Sequence, residues 1–383
     1  MTVTAPAGFE AAGVAAGIKA SGAEDLALVV NRGPSLAAAA VFTSNRAKAN
    51  PILWSEQVIV DGTVSAIVLN SGGANCFTGP AGFQVTHRTA EAVAAALEVS
   101  AGDVLVCSTG LIGEQLDGEV LEAGVRLAAS ALSDAGGADA ARAIMTTDTK
   151  PKTVVVAGDG WSIGGMAKGA GMLAPGLATM LVVLTTDAVL PAQTLDAALR
   201  EATRVTFDRL DSDGCMSTND QVTLLASGAS GVAPEPADFA AALIDACAEL
   251  ARQLQDDAEG ASHSIAIEVT GALSDDDAVE VGRSVARNNL FKAAVFGNDP
   301  NWGRVLAAIG TTRAAFDPYA VDVSMNGVRV CHAGQPDRPR DEVDLTPRDT
   351  HVLIELHAGD ASATILTNDL THDYVHENSA YSS

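Results

Sequence analysis

The sequence predicts an α/β protein in which sheets and helices form layers. Short aliphatic segments of strand length alternate along the chain with segments whose apolar residues recur at helical spacing. Hydrophobic residues make up 48% of the 383 residues and aromatic residues only 4%, so we expect a large core of aliphatic side chains. No segment repeats another. These patterns predict the class of the fold but leave the order of the strands open.

In the first half of the chain, each predicted strand is an aliphatic run bounded by Gly, Pro, Ser or Asn, the residues that favour turns. These strands are Leu26–Val30, Ala37–Phe42, Val64–Asn70, Asp103–Ser108 and Thr153–Ala157. Ala and Leu recur at helical spacing between them. The predicted helices are Thr86–Leu97, Glu119–Asp134 and the short Ala140–Met145.

The second half continues in the same style. Its predicted strands are Thr179–Thr185, Gln221–Ala226, Ser264–Val269, Ala320–Val323, Val328–Val330, His351–Leu356 and Ala361–Leu366. Its predicted helices are Leu195–Phe207, Phe239–Asp257 and Ala278–Lys292. The last of these follows the acidic run Asp275–Asp277, and negative charge is favourable at a helix N-terminus.

The charge of the chain excludes several classes of partner. With 23 Lys and Arg against 48 Asp and Glu, the formal net charge is −25. Nucleic acids and anionic lipid surfaces both require a basic protein surface, so we expect neither as a partner. A small anionic substrate stays possible, because a few local cations can dominate one pocket.

We expect a soluble, cytoplasmic protein. The longest apolar runs, such as Ala37–Phe42 and Met180–Leu184, are far shorter than the ~20 residues that span a bilayer. The first residues lack the basic and apolar regions of a signal peptide. Neither the cysteines nor the histidines have the spacing of metal ligands, so we expect no metal.

The densest motif is the Gly-rich segment from Ala167 to Leu181, which switches abruptly into the strand that begins at Thr179. An ordinary loop before a strand would also contain Gly and Pro. A phosphate-binding loop is excluded, because no Gly-Lys-Ser/Thr follows four spacer residues.

This segment resembles the cleavage-site signature Lys-Gly-x-Gly-Met-x-x-Pro-x-x-Ala-Thr-Met-Leu of the ornithine acetyltransferase family (glutamate N-acetyltransferase), the bifunctional proteins of arginine biosynthesis. The resemblance covers essentially the whole chain, because further matches follow in the order of the family. They are Cys107–Gly113, Ala143–Thr149, Ser217–Asp220 and Gly297–Arg304.

The resemblance implies a precursor that cuts itself between Ala178 and Thr179. The α chain would then be residues 1–178 and the β chain residues 179–383, with the two halves folded together in an N-terminal-nucleophile-like fold shared with aminopeptidases. A Thr hydroxyl at a loop-to-strand junction can attack the preceding carbonyl. The freed α-amine, with a pKa near 7.7–8.0 in model peptides, can then act as the general base for its own hydroxyl.

The resemblance also implies the roles of the site residues. Thr109 and Gly110 would stabilise the oxyanion. The substrate would be bound by Thr146, Lys168, Thr179, Glu259, Asn378 and Ser383, with Lys168 as the cation for its α-carboxylate and Ser383 in place of the terminal Thr usual in the family.

The implied reaction is acetyl transfer from N2-acetyl-L-ornithine to L-glutamate through an acetyl ester on Thr179. No cofactor is expected, although acetyl-CoA could serve as a second donor, and the expected assembly is a heterotetramer of two α and two β chains. Two alternatives stay open: an N-terminal-nucleophile aminopeptidase or amidase, and a non-catalytic assembly protein that remains uncut.

Overall fold

A computed structural model describes residues 2–174 and 180–380. The junction of Ala178 with Thr179 and the C-terminal Ser383 lie outside the described residues. The described residues form strands that belong to three sheets. In chain order these strands are β1 (Phe9–Val14), β2 (Leu26–Asn31), β3 (Ala37–Phe42), β4 (Ala66–Ser71), β5 (Val104–Thr109), β6 (Lys152–Ala157), β7 (Ser162–Lys168), β8 (Leu181–Thr186), β9 (Gln221–Ala226), β10 (Ser264–Ala272), β11 (Asp322–Met325), β12 (Val328–His332), β13 (Gln335–Pro336), β14 (Asp349–Glu355) and β15 (Ala361–Asn368).

Helices lie between many of these strands. They are α1 (Asn50–Val58), α2 (Gly79–Leu97), α3 (Gly118–Ser130), α4 (Gly137–Ala143), α5 (Ala192–Val205), α6 (Pro236–Asp256), α7 (Asp275–Ala286), α8 (Asn289–Phe296), α9 (Trp302–Ile309) and α10 (His372–Ala380). Over the described ranges, no helix is both long and apolar enough to cross a membrane.

Two sheets stack face to face and carry helices on their outer sides. The first sheet has the strand order β1-β2-β4-β5 and the second has the order β3-β9-β8-β7-β6. Along β2, Ala27 and Val29 pack with residues of the second sheet, whereas Leu26 and Leu28 pack with α2 and α3. The far side of the second sheet packs on α5 and α6. The alternation of side chains therefore produces four layers (helix, sheet, sheet, helix), and the prediction of a layered α/β fold is confirmed.

The third sheet, with the order β13-β12-β11-β14-β10-β15, packs against α7, α8 and α9. A buried glutamine joins it to the sandwich. Gln255, near the end of α6, donates from Nε2 to the carbonyl oxygens of Ile265 (2.9 Å) and Thr367 (2.8 Å). The end of α6 is thereby held against β10 and β15, which places the residues that follow it at the junction of the two units.

The structure differs from the predicted secondary structure at two places where the cause is visible: one predicted helix and one strand that has no predicted counterpart. The single helix predicted over Ala278–Lys292 is wrong, because the chain breaks after α7 and Asn288 caps a new helix by accepting the amide of Phe291 at 2.9 Å. The strand β7 was not predicted, because Gly164 and Gly165 interrupt its apolar pattern. A Cβ on Gly164 would lie 2.3 Å from the carbonyl oxygen of Thr2, so the close approach of the N-terminal backbone requires glycine there.

Candidate active site

A cleft of about 820 Å³ opens where the loop after α4, the end of α6 and the helix α10 meet. Thr146 comes from the loop, Glu259 from the turn after α6, and Asn378 from α10. Three of the substrate ligands implied by the family resemblance, far apart in the sequence, therefore line one cleft.

Glu259 is fixed in this cleft from two sides. Its Oε1 accepts a hydrogen bond from Thr147 Oγ1 (2.8 Å), and its Oε2 accepts one from Asn378 Nδ2 (3.0 Å). Its backbone amide donates to the carbonyl oxygen of Ala170 (3.0 Å). A Cβ on Gly171 would lie 2.6 Å from both carboxylate oxygens of Glu259, so any larger residue at this point of the Gly-rich segment would displace the carboxylate.

Lys168 is the last residue of β7, and only 2% of its surface is exposed. Its Nζ donates to Thr146 Oγ1 at 3.0 Å. Burial lowers the pKa of Lys168, and the nearby carboxylate of Asp148 opposes that shift. In the antiparallel pairing of β7 with β8, Lys168 lies opposite Leu181, two residues beyond Thr179. The predicted cation is therefore hydrogen-bonded to Thr146, which lines the cleft, and it adjoins β8, which begins two residues after the predicted nucleophile.

Asp148, Lys152 and Asp257 form a buried charge cluster behind these ligands. Lys152 Nζ contacts Asp148 Oδ1 (2.5 Å) and Asp257 Oδ2 (2.6 Å), and no part of the Lys152 side chain is exposed. Burial alone would raise the pKa of Asp148, but the charges of Lys168 and Lys152 hold it below its usual value. Asp148 is therefore a carboxylate with two cations beside it.

Thr109 and Gly110 form a tight turn at the end of β5. The carbonyl oxygen of Thr109 accepts the amides of Gly72 (2.9 Å) and Gly73 (3.0 Å). Gly110 has a φ of 129°, and a Cβ there would lie 2.6 Å from the Gly73 nitrogen, so this turn needs glycine. Neither Thr109 nor Gly110 lines the cleft.

The segment Ser217–Asp220, which precedes β9, connects this turn to the start of β8. Asn219 donates from Nδ2 to the carbonyl oxygens of Ala74 (2.6 Å) and Ser108 (2.8 Å). The amide of Met180 donates to Asp220 Oδ1 at 3.2 Å. Complete burial raises the pKa of Asp220 well above its usual value. Two neighbouring side chains thus hold the residue before Thr109 and the residue after Thr179.

The structure brings together some of the predicted site residues and leaves others apart. Thr146, Lys168, Glu259 and Asn378 meet through direct hydrogen bonds or at the cleft, whereas Thr109 and Gly110 lie at the neighbouring turn. Thr179, Ala178 and Ser383 are outside the described residues.

Four buried charged residues have no role among the sequence predictions, although two of them stand in the quoted motifs. They are Asp148, Lys152, Asp220 and Asp257. In the ranges that the structure describes, no group of three or more His, Cys, Asp or Glu is placed to hold a metal ion.

Comparison with known proteins identifies the family. The model of the ArgJ family matches residues 10–383. The chain belongs to the ArgJ family. The arginine biosynthesis bifunctional protein ArgJ of Streptomyces avermitilis is 65% identical over 100% of both chains, and that of Streptomyces coelicolor is 63% identical over 100% of both. The solved ornithine acetyltransferase of Mycobacterium tuberculosis, in complex with ornithine, is 58% identical over 47% of this chain and 96% of that chain, with a TM-score of 0.45. The resemblance identified in the sequence is therefore confirmed at the level of the family.

Proposed function

We propose that this ArgJ-family chain transfers an acetyl group from N2-acetyl-L-ornithine to L-glutamate through an acetyl ester on Thr179, in arginine biosynthesis. The products are L-ornithine and N-acetyl-L-glutamate. The proposal rests on membership of the ArgJ family and on the arrangement of charges around the cleft.

One observation carries the choice of substrate. The adjacent residues Thr146 and Thr147 bind groups of opposite charge. Thr146 Oγ1 accepts a hydrogen bond from Lys168 Nζ, and Thr147 Oγ1 donates one to Glu259 Oε1. A cation and a carboxylate are thus held one residue apart along a single loop. Acetyl-ornithine carries an α-carboxylate at one end and a δ-ammonium at the other, so its two charges match Lys168 and Glu259.

The proposed chemistry begins with one cut. Thr179 Oγ attacks the carbonyl carbon of Ala178 and the peptide C–N bond breaks, while the hydroxyl proton ends on the released α-nitrogen. Water then hydrolyses the ester, which leaves residues 1–178 with a new carboxylate and residues 179–383 with a free α-amine at Thr179. That amine is the base for the Thr179 hydroxyl in each later turnover.

In turnover, Thr179 Oγ attacks the acetyl carbonyl of acetyl-ornithine, and the α-amine of Thr179 passes the hydroxyl proton to the departing α-nitrogen of ornithine. The α-amine of glutamate then attacks the acetyl ester and regenerates the hydroxyl. We propose that Thr109 and Gly110 stabilise the oxyanion in both steps, and that Asn378 and Ser383 complete the substrate site. The acetyl group is carried on the protein, so the transfer needs no cofactor.

We propose that the two halves stay together after the cut and assemble as a heterotetramer of two α and two β chains in the cytoplasm. The names of the similar proteins call them bifunctional, which supports a second activity, and we propose acetyl-CoA as the acetyl donor of that activity. Incubation of the purified protein with acetyl-CoA and glutamate, without acetyl-ornithine, tests for that activity directly.

The variant Thr179→Ala tests the nucleophile. We expect it to run as one chain of 383 residues under denaturing conditions and to have no acetyltransferase activity. Thr185→Ala is a suitable control, because it removes a buried hydroxyl in β8, which begins two residues after Thr179, and that hydroxyl donates to the carbonyl oxygen of Val3. The control should be cut normally. Two fragments from Thr179→Ala would exclude the proposed mechanism of cleavage.

A second assay separates acetyl transfer from hydrolysis. We expect ornithine release from acetyl-ornithine to depend on glutamate, with acetylglutamate formed in equal amount. Release of free acetate at the same rate with and without glutamate would instead assign an amidase.

A further inference from the structure

We propose that Asp148 is the positioning residue of the substrate-carboxylate site: it holds Thr146 and Lys168 in place and preserves the positive charge of Lys168. The inference rests on the proposed function, because it assigns to Thr146 and Lys168 the binding of a carboxylate. Asp148 itself would touch no substrate atom.

The contacts of Asp148 place it between the two ligands. Its Oδ2 accepts the backbone amide of Thr146 at 3.0 Å, and its Oδ1 accepts the backbone amide of Gly169, the residue after Lys168, at 2.7 Å. One carboxylate therefore fixes the backbone on both sides of the hydrogen bond between Lys168 Nζ and Thr146 Oγ1. A shift of Asp148 would move both ligands together.

Lys152 and Asp257 hold Asp148 itself. Lys152 lies opposite Ala167 in the pairing of β6 with β7, so its ammonium reaches Asp148 beside the end of β7. The same ammonium contacts Asp257, whose Oδ2 also accepts the amide of Thr149 at 3.0 Å. Asp257 lies two residues before Glu259. The buried charge cluster thus connects the carboxylate side of the cleft to its ammonium side.

The charges around Lys168 explain why a carboxylate is needed at this place. Asp148, Asp220 and Glu259 favour its protonated form, whereas burial and the like charge of Lys152 oppose it. Asp148 is the strongest of the favourable charges. Burial raises the pKa of Asp220 itself, and Asp220 acts less strongly on Lys168 than Asp148 does. Without Asp148, the pKa of Lys168 should fall, and Lys168 should lose its proton at a lower pH.

The variants Asp148→Asn and Asp148→Glu separate charge from position. For Asp148→Asn we expect the KM values of acetyl-ornithine and of glutamate both to rise by about tenfold or more, because both substrates carry an α-carboxylate. We also expect the alkaline limb of the plot of log(kcat/KM) against pH to shift to a pH that is lower by about one unit. Asp148→Glu keeps the charge but displaces it, so KM should rise while the alkaline limb stays near its original pH.

Asp257→Asn is the matched control for burial. It removes a carboxylate from the same lysine, yet the charges that act most strongly on Lys168 are those of Asp148, Lys152, Asp220 and Glu259. We expect Asp257→Asn to lower the Tm without moving the alkaline limb. The titration of the substrates is common to all variants and cancels in the comparison.

The outcomes are distinct. If the unaltered protein transfers no acetyl group, the proposed function fails. If it is active and Asp148→Asn retains both its KM values and its alkaline limb, the role of Asp148 is overturned. If Asp148→Asn and Asp257→Asn raise KM and lower Tm equally, with no shift of the limb in either, the cluster is only structural and the inference is likewise overturned. If Asp148→Asn fails to fold, Asp148→Glu still tests the inference. This variant keeps the charge, so a shift of its alkaline limb to a pH about one unit lower would contradict the inference.

Discussion

Substitution of Gly171 by alanine should impair the recognition of acetyl-ornithine while leaving the fold intact. The added Cβ would lie 2.6 Å from both carboxylate oxygens of Glu259, whereas non-bonded heavy atoms settle at ~3.5 Å or more. The carboxylate must therefore withdraw by on the order of 1 Å. Such a movement would stretch its hydrogen bonds to Thr147 (2.8 Å) and Asn378 (3.0 Å) beyond hydrogen-bond range.

The expected size of the effect follows from the bond that the substrate loses. A hydrogen bond to a charged group contributes about 1.5–3 kcal/mol, and about 1.4 kcal/mol corresponds to a factor of ten. If Glu259 binds the δ-ammonium, the KM of acetyl-ornithine should rise about tenfold to a hundredfold. Glutamate carries no cation at that position, so its KM should change much less. The thermal stability should fall little, because the displaced atoms are the end of a flexible side chain.

Initial rates with each substrate varied in turn, together with a thermal melt, measure this effect. Gly303→Ala is the matched control, since its nearest atom would be Asn301 Oδ1 at an ordinary 3.6 Å. Glu259→Gln should change the same KM, and the double variant with Gly171→Ala should be far from additive. Equal rises in both KM values, or no rise for acetyl-ornithine, would refute the assignment of Glu259 to the ammonium.

Two further predictions concern the turn and the segment beside it. Thr109→Val removes a hydroxyl at nearly constant volume and should lower kcat by about 10²–10³ if that hydroxyl binds the oxyanion, with little change in Tm. A loss of less than about threefold would assign Thr109 a packing role. Asp220 has a raised pKa in the folded protein, so the folded state binds its proton more tightly than the unfolded state does. The stability of the unaltered protein should then decrease as pH rises from the unfolded pKa of about 3.9 towards the folded value. Asp220→Asn, which cannot ionise, should gain Tm relative to the unaltered protein over that range, and a Tm difference independent of pH would contradict the raised pKa.

The sequence predicted the layers better than the connections between them. Strands such as β2 and β8 begin with continuous aliphatic runs because both of their faces are buried between layers, and such runs are visible in a single sequence. The strand β7 is not visible in the sequence, because the backbone of Thr2 excludes a side chain at Gly164, whereas Leu184 and Val154 crowd Gly165. The break between α7 and α8 depends on one capping side chain, Asn288, within an otherwise helical pattern.

The candidate site shows the same division. The family resemblance pointed to Thr146, Lys168, Glu259 and Asn378, and the structure brings their side chains to one cleft or to one another. It could not reveal the buried charge cluster, because Lys152 and Asp257 are 105 residues apart in the sequence and have no periodic relation. A buried charge is recognisable only when its partner is known, and that partner is set by the pairing of β6 with β7 and by the place where α6 ends.

The order of the second sheet has a consequence for a chain that is cut between residues 178 and 179. From edge to edge the sheet reads β3, β9, β8, β7, β6, so two central strands from the C-terminal half lie between strands of the N-terminal half on both sides. The ladders of β3 with β9 and of β7 with β8 each join six residue pairs. The two products of the cut would therefore be held together by one hydrogen-bonded sheet that contains strands of both. Neither half could leave without exposing unpaired strand edges on both sides of β8 and β9, and an exchange of halves between molecules would require the sheet to unfold.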